Sequence, residues 1–166
     1  MPFTFVRPVD VRVFDERPIL DIGTGDGQTL DALIPGAHDV VAIDRSFEML
    51  RTSGLSLVVC ADARVLPFRD NSLRTVLAAD LFHHLDDEAL LTVLRETRRT
   101  LKDRGRLVAW WYAAAATPAP DAPRFPRTID VVATALGSAG FSSSEELELD
   151  IEIGGGPPTV GLLGRS

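Results

Sequence analysis

The chain predicts an α/β protein, a doubly wound, mostly parallel seven-stranded sheet with an antiparallel C-terminal hairpin. Three observations lead there. Apolar runs of strand length alternate with helix-length stretches, and the first such run turns over three glycines into a helix start. The last two runs, near 141–152 and 158–164, are separated only by Gly154-Gly155-Gly156-Pro157-Pro158, a connection suited to antiparallel neighbours.

The elements follow in order. Residues 18–22 form the first strand, and a short helix over 27–34 stops near Pro35-Gly36. Val40-Val41-Ala42-Ile43-Asp44 is a continuous apolar run ending in an acid, as a buried parallel strand requires. Ser46 caps a helix across 47–52 that Gly54 closes, and 56–60 is the third strand. Asp70-Asn71-Ser72 turns into a fourth strand at 73–80. The clearest helix is 86–101, with Asp86, Asp87 and Glu88 at its start and Arg95, Arg98, Arg99 and Lys102 near its end. That order complements the helix dipole, and Leu90, Leu94, Thr97 and Leu101 supply the core-facing stripe. Gly105 leads into a fifth strand at 106–112, and a last helix over 128–139 ends at Gly140.

One domain, 1–166, accommodates all of this, with 1–17 as an N-terminal extension. Residues 113–127 hold four consecutive alanines and then four prolines, a crossover loop able to act as a partial lid. A formal net charge of −7 argues against nucleic acid or an anionic membrane as a partner, since both need an electropositive face. Cys60 is the only cysteine, so neither an internal disulfide nor a zinc cluster is available, and no metal is expected. It reads as an inert buried strand residue. No apolar run approaches the ~20 residues of a membrane span, and the N-terminus lacks the plan of a signal peptide, so a cytoplasmic location is expected.

The functional information is concentrated in Ile19-Leu20-Asp21-Ile22-Gly23-Thr24-Gly25-Asp26-Gly27-Gln28. A strand turning over glycines into a helix start lets backbone approach a small ligand and points free N–H groups at it. A phosphate-cradling P-loop would need a lysine near this turn, and none is there. A dinucleotide fingerprint would need a small residue at position 28, where Gln28 stands; this weakens an NAD(P)-binding oxidoreductase reading without removing it.

Asp21-x-Gly23-x-Gly25-x-Gly27 resembles the pattern of class I S-adenosylmethionine-dependent methyltransferases of the small-molecule, ubiquinone/menaquinone-methyltransferase-like superfamily. The resemblance runs approximately from residue 18 to 164. Asp44 ends the second strand where that family has its ribose-binding acid. Ala61-Asp62-Ala63, followed by Leu66-Pro67-Phe68, looks like its adenine-contacting segment. Asp80-Leu81-Phe82-His83-His84-Leu85 resembles the stretch bordering the methyl-transfer site, and Arg98, Leu101, Gly105 and Arg106 match the helix-turn-strand that follows. The resemblance implies a Rossmann-like sheet, S-adenosyl-L-methionine as cofactor, and methyl transfer to an unidentified acceptor by in-line displacement.

On that footing the cofactor-binding residues are Asp21, Gly23, Thr24, Gly25, Asp44, Arg45, Met49, Asp62, Ala63 and Asp80. Asp44 would accept from both ribose hydroxyls and Asp62 from the adenine amine, with the Ala63 N–H donating to a ring nitrogen. Arg45 and Met49 would cover the adenine faces, and Asp21 would meet the ligand's ammonium. His84, with His83 behind it, is the candidate catalytic base if the acceptor needs one. Alternation sends Trp110 and Tyr112 to one face of the fifth strand and Trp111 to the other. At least one is core, and another is a candidate substrate wall.

Two departures from the family stand out. Arg74 occupies a position that usually carries an acid, and the segments that close over a small acceptor are short. The acceptor is expected to be a small molecule. Either the acceptor is large after all, or its pocket is completed by residues 1–17 and 113–127, by a second copy in a homo-oligomer, or by a partner protein. A cofactor-binding or degenerate module acting with a partner is therefore the alternative reading.

Overall fold

The computed structural model describes residues 4–5, 16–34, 39–112, 125–147, 151–152 and 159–166. In chain order the elements are β1 (Thr4–Phe5), β2 (Ile19–Ile22), α1 (Gln28–Leu33), β3 (Val41–Asp44), α2 (Phe47–Thr52), β4 (Val58–Cys60) and β5 (Leu73–Ala79). A 3-10 turn at Phe82–His84 follows, then α3 (Asp87–Thr100), β6 (Leu101–Tyr112), α4 (Ile129–Ser138), β7 (Ser143–Leu147), β8 (Ile151–Glu152) and β9 (Thr159–Arg165).

Seven strands form one sheet in the order β4-β3-β2-β5-β6-β9-β7. The pairs from β4 through β6 are parallel, whereas β9 is antiparallel to both β6 and β7. Winding starts at β2, proceeds outward to β3 and β4, then returns to β5 on the other side. The switch point therefore lies between β2 and β5, where a crevice opens at the carboxyl ends of the strands.

The doubly wound sheet with its antiparallel edge is as the sequence predicts, with one correction. The expected strand 141–152 is divided: Ser143–Leu147 pairs with β9 inside the sheet, while Ile151–Glu152 pairs with Thr4–Phe5 in a separate two-stranded ladder. The glycine-proline spacer 153–158, most of the 1–17 extension and residues 113–124 of the crossover loop lie outside the described residues. No helix among the described residues is long and apolar enough to cross a membrane.

Strand alternation builds two cores. Leu20, Ile22, Val76, Ala78, Leu107 and Ala109 face α3 and α4, meeting Leu90, Val93, Leu94, Val132 and Leu136. Ile19, Ala42, Leu77, Ala79 and Val108 face the other way, against Leu30 of α1. Trp111 joins the first core and Trp110 the second, so the expected split across the strand holds. Both indoles are wholly buried, however, and neither lines the cleft described below. The substrate-wall role thus falls away for Trp110 and Trp111, because both faces of β6 are covered; the Tyr112 side chain lies outside the described residues. Removing an indole from such a site typically costs about 3–5 kcal/mol.

Caps place the helices where local chemistry demands. The Asp86 carboxylate accepts from Ala89 N at 2.8 Å and the Ser46 hydroxyl from Met49 N at 3.3 Å. Cys60 is a second correction: it is exposed, because β4 is an edge strand whose Val58 and Val59 are exposed as well.

Candidate functional site

A cleft of about 770 Å³ opens at the carboxyl ends of β4, β3, β2 and β5. The glycine turn forms its floor. Gly23 N and Thr24 N both donate to Ile43 O, at 2.9 and 3.0 Å, locking the end of β2 to β3. Gly23 sits at φ 72°, and a Cβ there would lie 2.9 Å from Leu81 Cδ1, so a side chain is excluded by conformation and by space alike. Gly25, at φ 59°, needs glycine for conformation alone; the nearest side-chain atom to a Cβ there would be Met49 Cε at 3.5 Å.

Asp44 connects the turn to β3. Its Oδ2 accepts from Gly25 N at 3.0 Å and its Oδ1 from Ser46 N at 2.8 Å. Each carboxylate oxygen keeps a further acceptor site. Closing the turn toward α2 therefore leaves this side chain with acceptor sites still open toward the cleft.

Asp21 lies beneath the turn, 2% exposed, with its Oδ1 shut from solvent and unpartnered among the described residues. Burial pushes its pKa up to about 7; the nearby Thr24 hydroxyl opposes that shift and the Asp44 charge adds to it. A buried carboxyl poised at neutrality is primed to ionise when a cation arrives.

Arg45, Met49, Asp62 and Ala63 line the β3–β4 side of the same cleft. The Asp62 carboxylate is held by Arg64, with Nη2 at 2.6 Å and Nε at 3.0 Å, and also accepts from Arg64 N at 2.9 Å. Hydrogen bonding to that guanidinium keeps Asp62 below its ordinary pKa.

On the opposite side Asp80 leaves β5 in the left-handed region at φ 53°, its N–H donating to Trp110 O at 2.9 Å. Desolvation raises its carboxyl to about 6, and its Oδ1 is buried without a partner among the described residues. A non-glycine residue held at positive φ stores strain of order 1 kcal/mol or more.

The histidines separate. His84 is exposed and lines the cleft, whereas His83 turns into the core at 3% exposure. Burial, and then the adjacent His84 ring at 4.1 Å, lower the His83 pKa to about 4. His83 is therefore no base for this cleft; of the two catalytic candidates only His84 reaches it.

Two arginines that sequence reasoning missed hold the walls. Arg99 donates to Leu66 O at 3.1 Å and Phe68 O at 2.9 Å, while Glu96 Oε2 accepts from Leu66 N at 2.8 Å. Together they pin the segment after Asp62-Ala63 to α3. Arg127 is 5% exposed and donates to Phe82 O, Leu85 O and the Asp87 carboxylate; its own carbonyl accepts from Trp111 Nε1 at 3.1 Å. With Phe125 N donating to His83 O at 3.0 Å, Arg127 ties residues 125–128 to the 82–87 loop and sets Phe125 into the cleft wall. The one sequence signal was an arginine closing a proline-rich stretch, which named no partner.

Comparison with known proteins bears on this geometry. Residues 20–109 match the family model described as a methyltransferase domain. An uncharacterized methyltransferase of Mycobacterium tuberculosis is 33% identical over 99 residues, covering 57% of this chain and 40% of that protein. A demethylmenaquinone methyltransferase of Thermotoga maritima is 35% identical over 96 residues, covering 54% of this chain and 41% of that protein. The matched part thus spans about two fifths of these relatives. Among solved structures, an S-adenosylmethionine-dependent methyltransferase from Aquifex aeolicus superposes with a TM-score of 0.70 at 23% identity, covering 89% of this chain and 80% of that one. One from Archaeoglobus fulgidus gives 0.71 at 18% identity, covering 92% and 87%. At such identities these likenesses establish the fold.

Proposed function

The chain belongs to the methyltransferase-domain family, whose cofactor is S-adenosylmethionine, and from that premise we propose that its cleft holds this donor along the ends of β4, β3 and β2 for methyl transfer to an acceptor seated at β5. One observation carries the reading. Asp44, fixed by Gly25 N and Ser46 N, faces the same cleft as the buried acid Asp21, a diol acceptor and a cation acceptor on adjacent strands.

The residues present fit the donor. Gly25 leaves space at the cleft that a Cβ would enter, with only Met49 Cε nearby. The Asp21 Oδ1, without a partner among the described residues, meets a counterpart in the donor's ammonium. Asp44 offers acceptors to the ribose hydroxyls. Met49 and Arg45 border the place of the adenine, beside Asp62 and Ala63. The bound donor supplies a methyl group already activated on a sulfonium.

The protein's share of the work is then binding, alignment and exclusion of water, which in favourable systems supplies ~7–11 kcal/mol. Leu81, Leu85 and Val93 line the cleft near β5 and displace water there. His84, exposed at the cleft, is the candidate base for an acceptor that must lose a proton.

Calorimetric titration with S-adenosylmethionine, S-adenosylhomocysteine and NADH tests the reading. Binding of the first two and none of NADH is the expected result. Preference for NADH, or no binding of either sulfur compound, overturns it. Binding with no methyl transfer to any component of a lysate, followed with labelled donor, would favour a cofactor-binding module acting with a partner.

A further inference from the structure

We propose that Asp80 is the recognition residue for the acceptor and that the acceptor presents to it an amino group carried on an apolar body. This rests on the donor reading above and deepens it.

Strand order sets the geography. A donor stretched across the ends of β4, β3 and β2 reaches the end of β5 with its reacting end, and Asp80 is the first residue beyond β5. Asp21 and Asp44 serve the donor's cation and diol from their own strands. Asp80, which the family resemblance counts among the donor contacts, is assigned here to the acceptor instead: it lines the cleft beyond β5, and its Oδ1 has no partner among the described residues. A desolvated carboxyl oxygen without a donor is costly, so a group that supplies N–H and positive charge is rewarded there. The final torsion of an aspartate is soft, so either oxygen can turn to meet it.

The charge of the cleft selects the sign of the ligand. Six aspartates line it against two arginines, and one of those, Arg64, is engaged by Asp62. A thiolate, phenolate or carboxylate acceptor would enter against that field, whereas an amine enters with it. The walls beside Asp80 describe the rest of the acceptor: Leu81, Leu85, Ala89, Val93 and the Phe125 ring are apolar, and Phe125 is held in place by the Arg127 segment. A short aliphatic or aryl-bearing amine fits these surfaces, and an aromatic face also favours a cation.

Backbone geometry adds a separate argument. Asp80 occupies the left-handed region at φ 53° with its N–H committed to Trp110 O. Asparagine and glycine both tolerate that conformation, so the carboxylate is removable without breaking the turn.

The test titrates benzylamine, benzyl alcohol and benzoate onto the protein saturated with S-adenosylhomocysteine, using wild type, Asp80→Asn and Asp80→Gly. A charge-assisted hydrogen bond predicts benzylamine binding about tenfold or more tighter than benzyl alcohol, with benzoate weakest. Both variants should lose that preference while S-adenosylhomocysteine affinity stays within about threefold. Equal or better binding of the alcohol or benzoate, or no binding of the amine, overturns the proposal. So does a loss of S-adenosylhomocysteine affinity as large as the loss of amine affinity, which would make Asp80 a donor contact. If S-adenosylhomocysteine fails to bind wild type, the donor reading falls, and the amine preference measured on the ligand-free protein still decides the role of Asp80. Thermal unfolding of both variants confirms that they fold.

Discussion

The two halves of the cleft are built by different means. On the donor side, backbone does most of the work: Gly23 and Thr24 N–H groups grip Ile43 O, and Gly25 N grips Asp44, across a separation of about twenty residues. On the acceptor side, side chains do it: the buried Arg127 guanidinium reaches back across forty residues or more to Phe82, Leu85 and Asp87. A site made of turns and strand ends can be read from glycine spacing and a terminal acid. A site made of one long-range guanidinium cannot, because nothing in the local sequence of Pro126-Arg127 specifies its partners. On the proposed reading the difference also divides the tasks: the donor side would hold what every donor molecule shares, and the acceptor side would be free to vary with the acceptor.

The sharpest way to break the comparison is Asp44→Ala. This removes the diol acceptor and the anchor of Gly25 N together, so donor affinity should fall about a hundredfold or more, some 3 kcal/mol for two charge-assisted bonds. Calorimetry with S-adenosylhomocysteine measures it. Affinity within threefold of wild type would remove Asp44 from the ribose site and leave it as the closure of the turn toward α2.

Next in size is Arg127→Met, which should act on the other half alone. It leaves the Phe82 and Leu85 carbonyls and the Asp87 carboxylate without their shared donor, and a stability loss of about 2–3 kcal/mol follows. The denaturant midpoint reports that loss, while S-adenosylhomocysteine affinity should change less than about threefold. Equal damage to donor affinity would mean that the halves are mechanically one.

The legibility of the fold follows the same division. The strands of the parallel half lay open in apolar runs, and the central β2 and β3 most clearly, since a strand covered on both faces leaves little room for polar interruption. The cap of α2 was legible because Ser46 acts on the backbone three residues ahead, whereas Asp86 reads as a dipole-complementing acid and proves to be the cap of α3. The failures were matters of position in the sheet. Cys60 looked buried because its run is apolar, but no sequence pattern announces that β4 is the edge. One aromatic of Trp110, Trp111 and Tyr112 reads as a candidate wall, but elements packed on both faces of β6 bury both indoles. His84 is preferred to His83 only by family position; what parts them is the 3-10 turn, which buries His83 and leaves His84 at the cleft.

A pH series sharpens the donor side. With its folded pKa raised to about 7, Asp21 is mostly protonated at pH 6 and mostly ionised at pH 8. Donor affinity should therefore rise about tenfold across that range, and Asp21→Asn should flatten the rise. The stability of the ligand-free protein runs the other way. The folded state holds the Asp21 proton that the unfolded chain has already released, so this contribution diminishes as pH climbs from about 4 through 7. Asp80 acts in the same sense up to about 6. His83, depressed to about 4, opposes both below its ordinary value, because there the unfolded chain takes up the proton. Above pH 6.5 Asp21 dominates, and a midpoint that rose from pH 6.5 to 8 would contradict its burial as an acid.

The smallest effect belongs to Arg99, and it tests whether the donor side also depends on a long-range guanidinium. Arg99 ties Leu66, Phe68 and Asp70 to α3, but it is about a third exposed, so solvent screens its ion pairs with Glu96 and Asp70. Arg99→Met should cost about 1 kcal/mol of stability or less. Its consequence for the donor is indirect: a looser segment after Ala63 must be ordered on binding, an entropic cost worth about threefold to fivefold in affinity. An unchanged affinity would leave the donor side held by strand ends and the local Asp44 contacts. A tenfold loss would make Arg99 its counterpart to Arg127, and the two halves of the cleft would then be built alike.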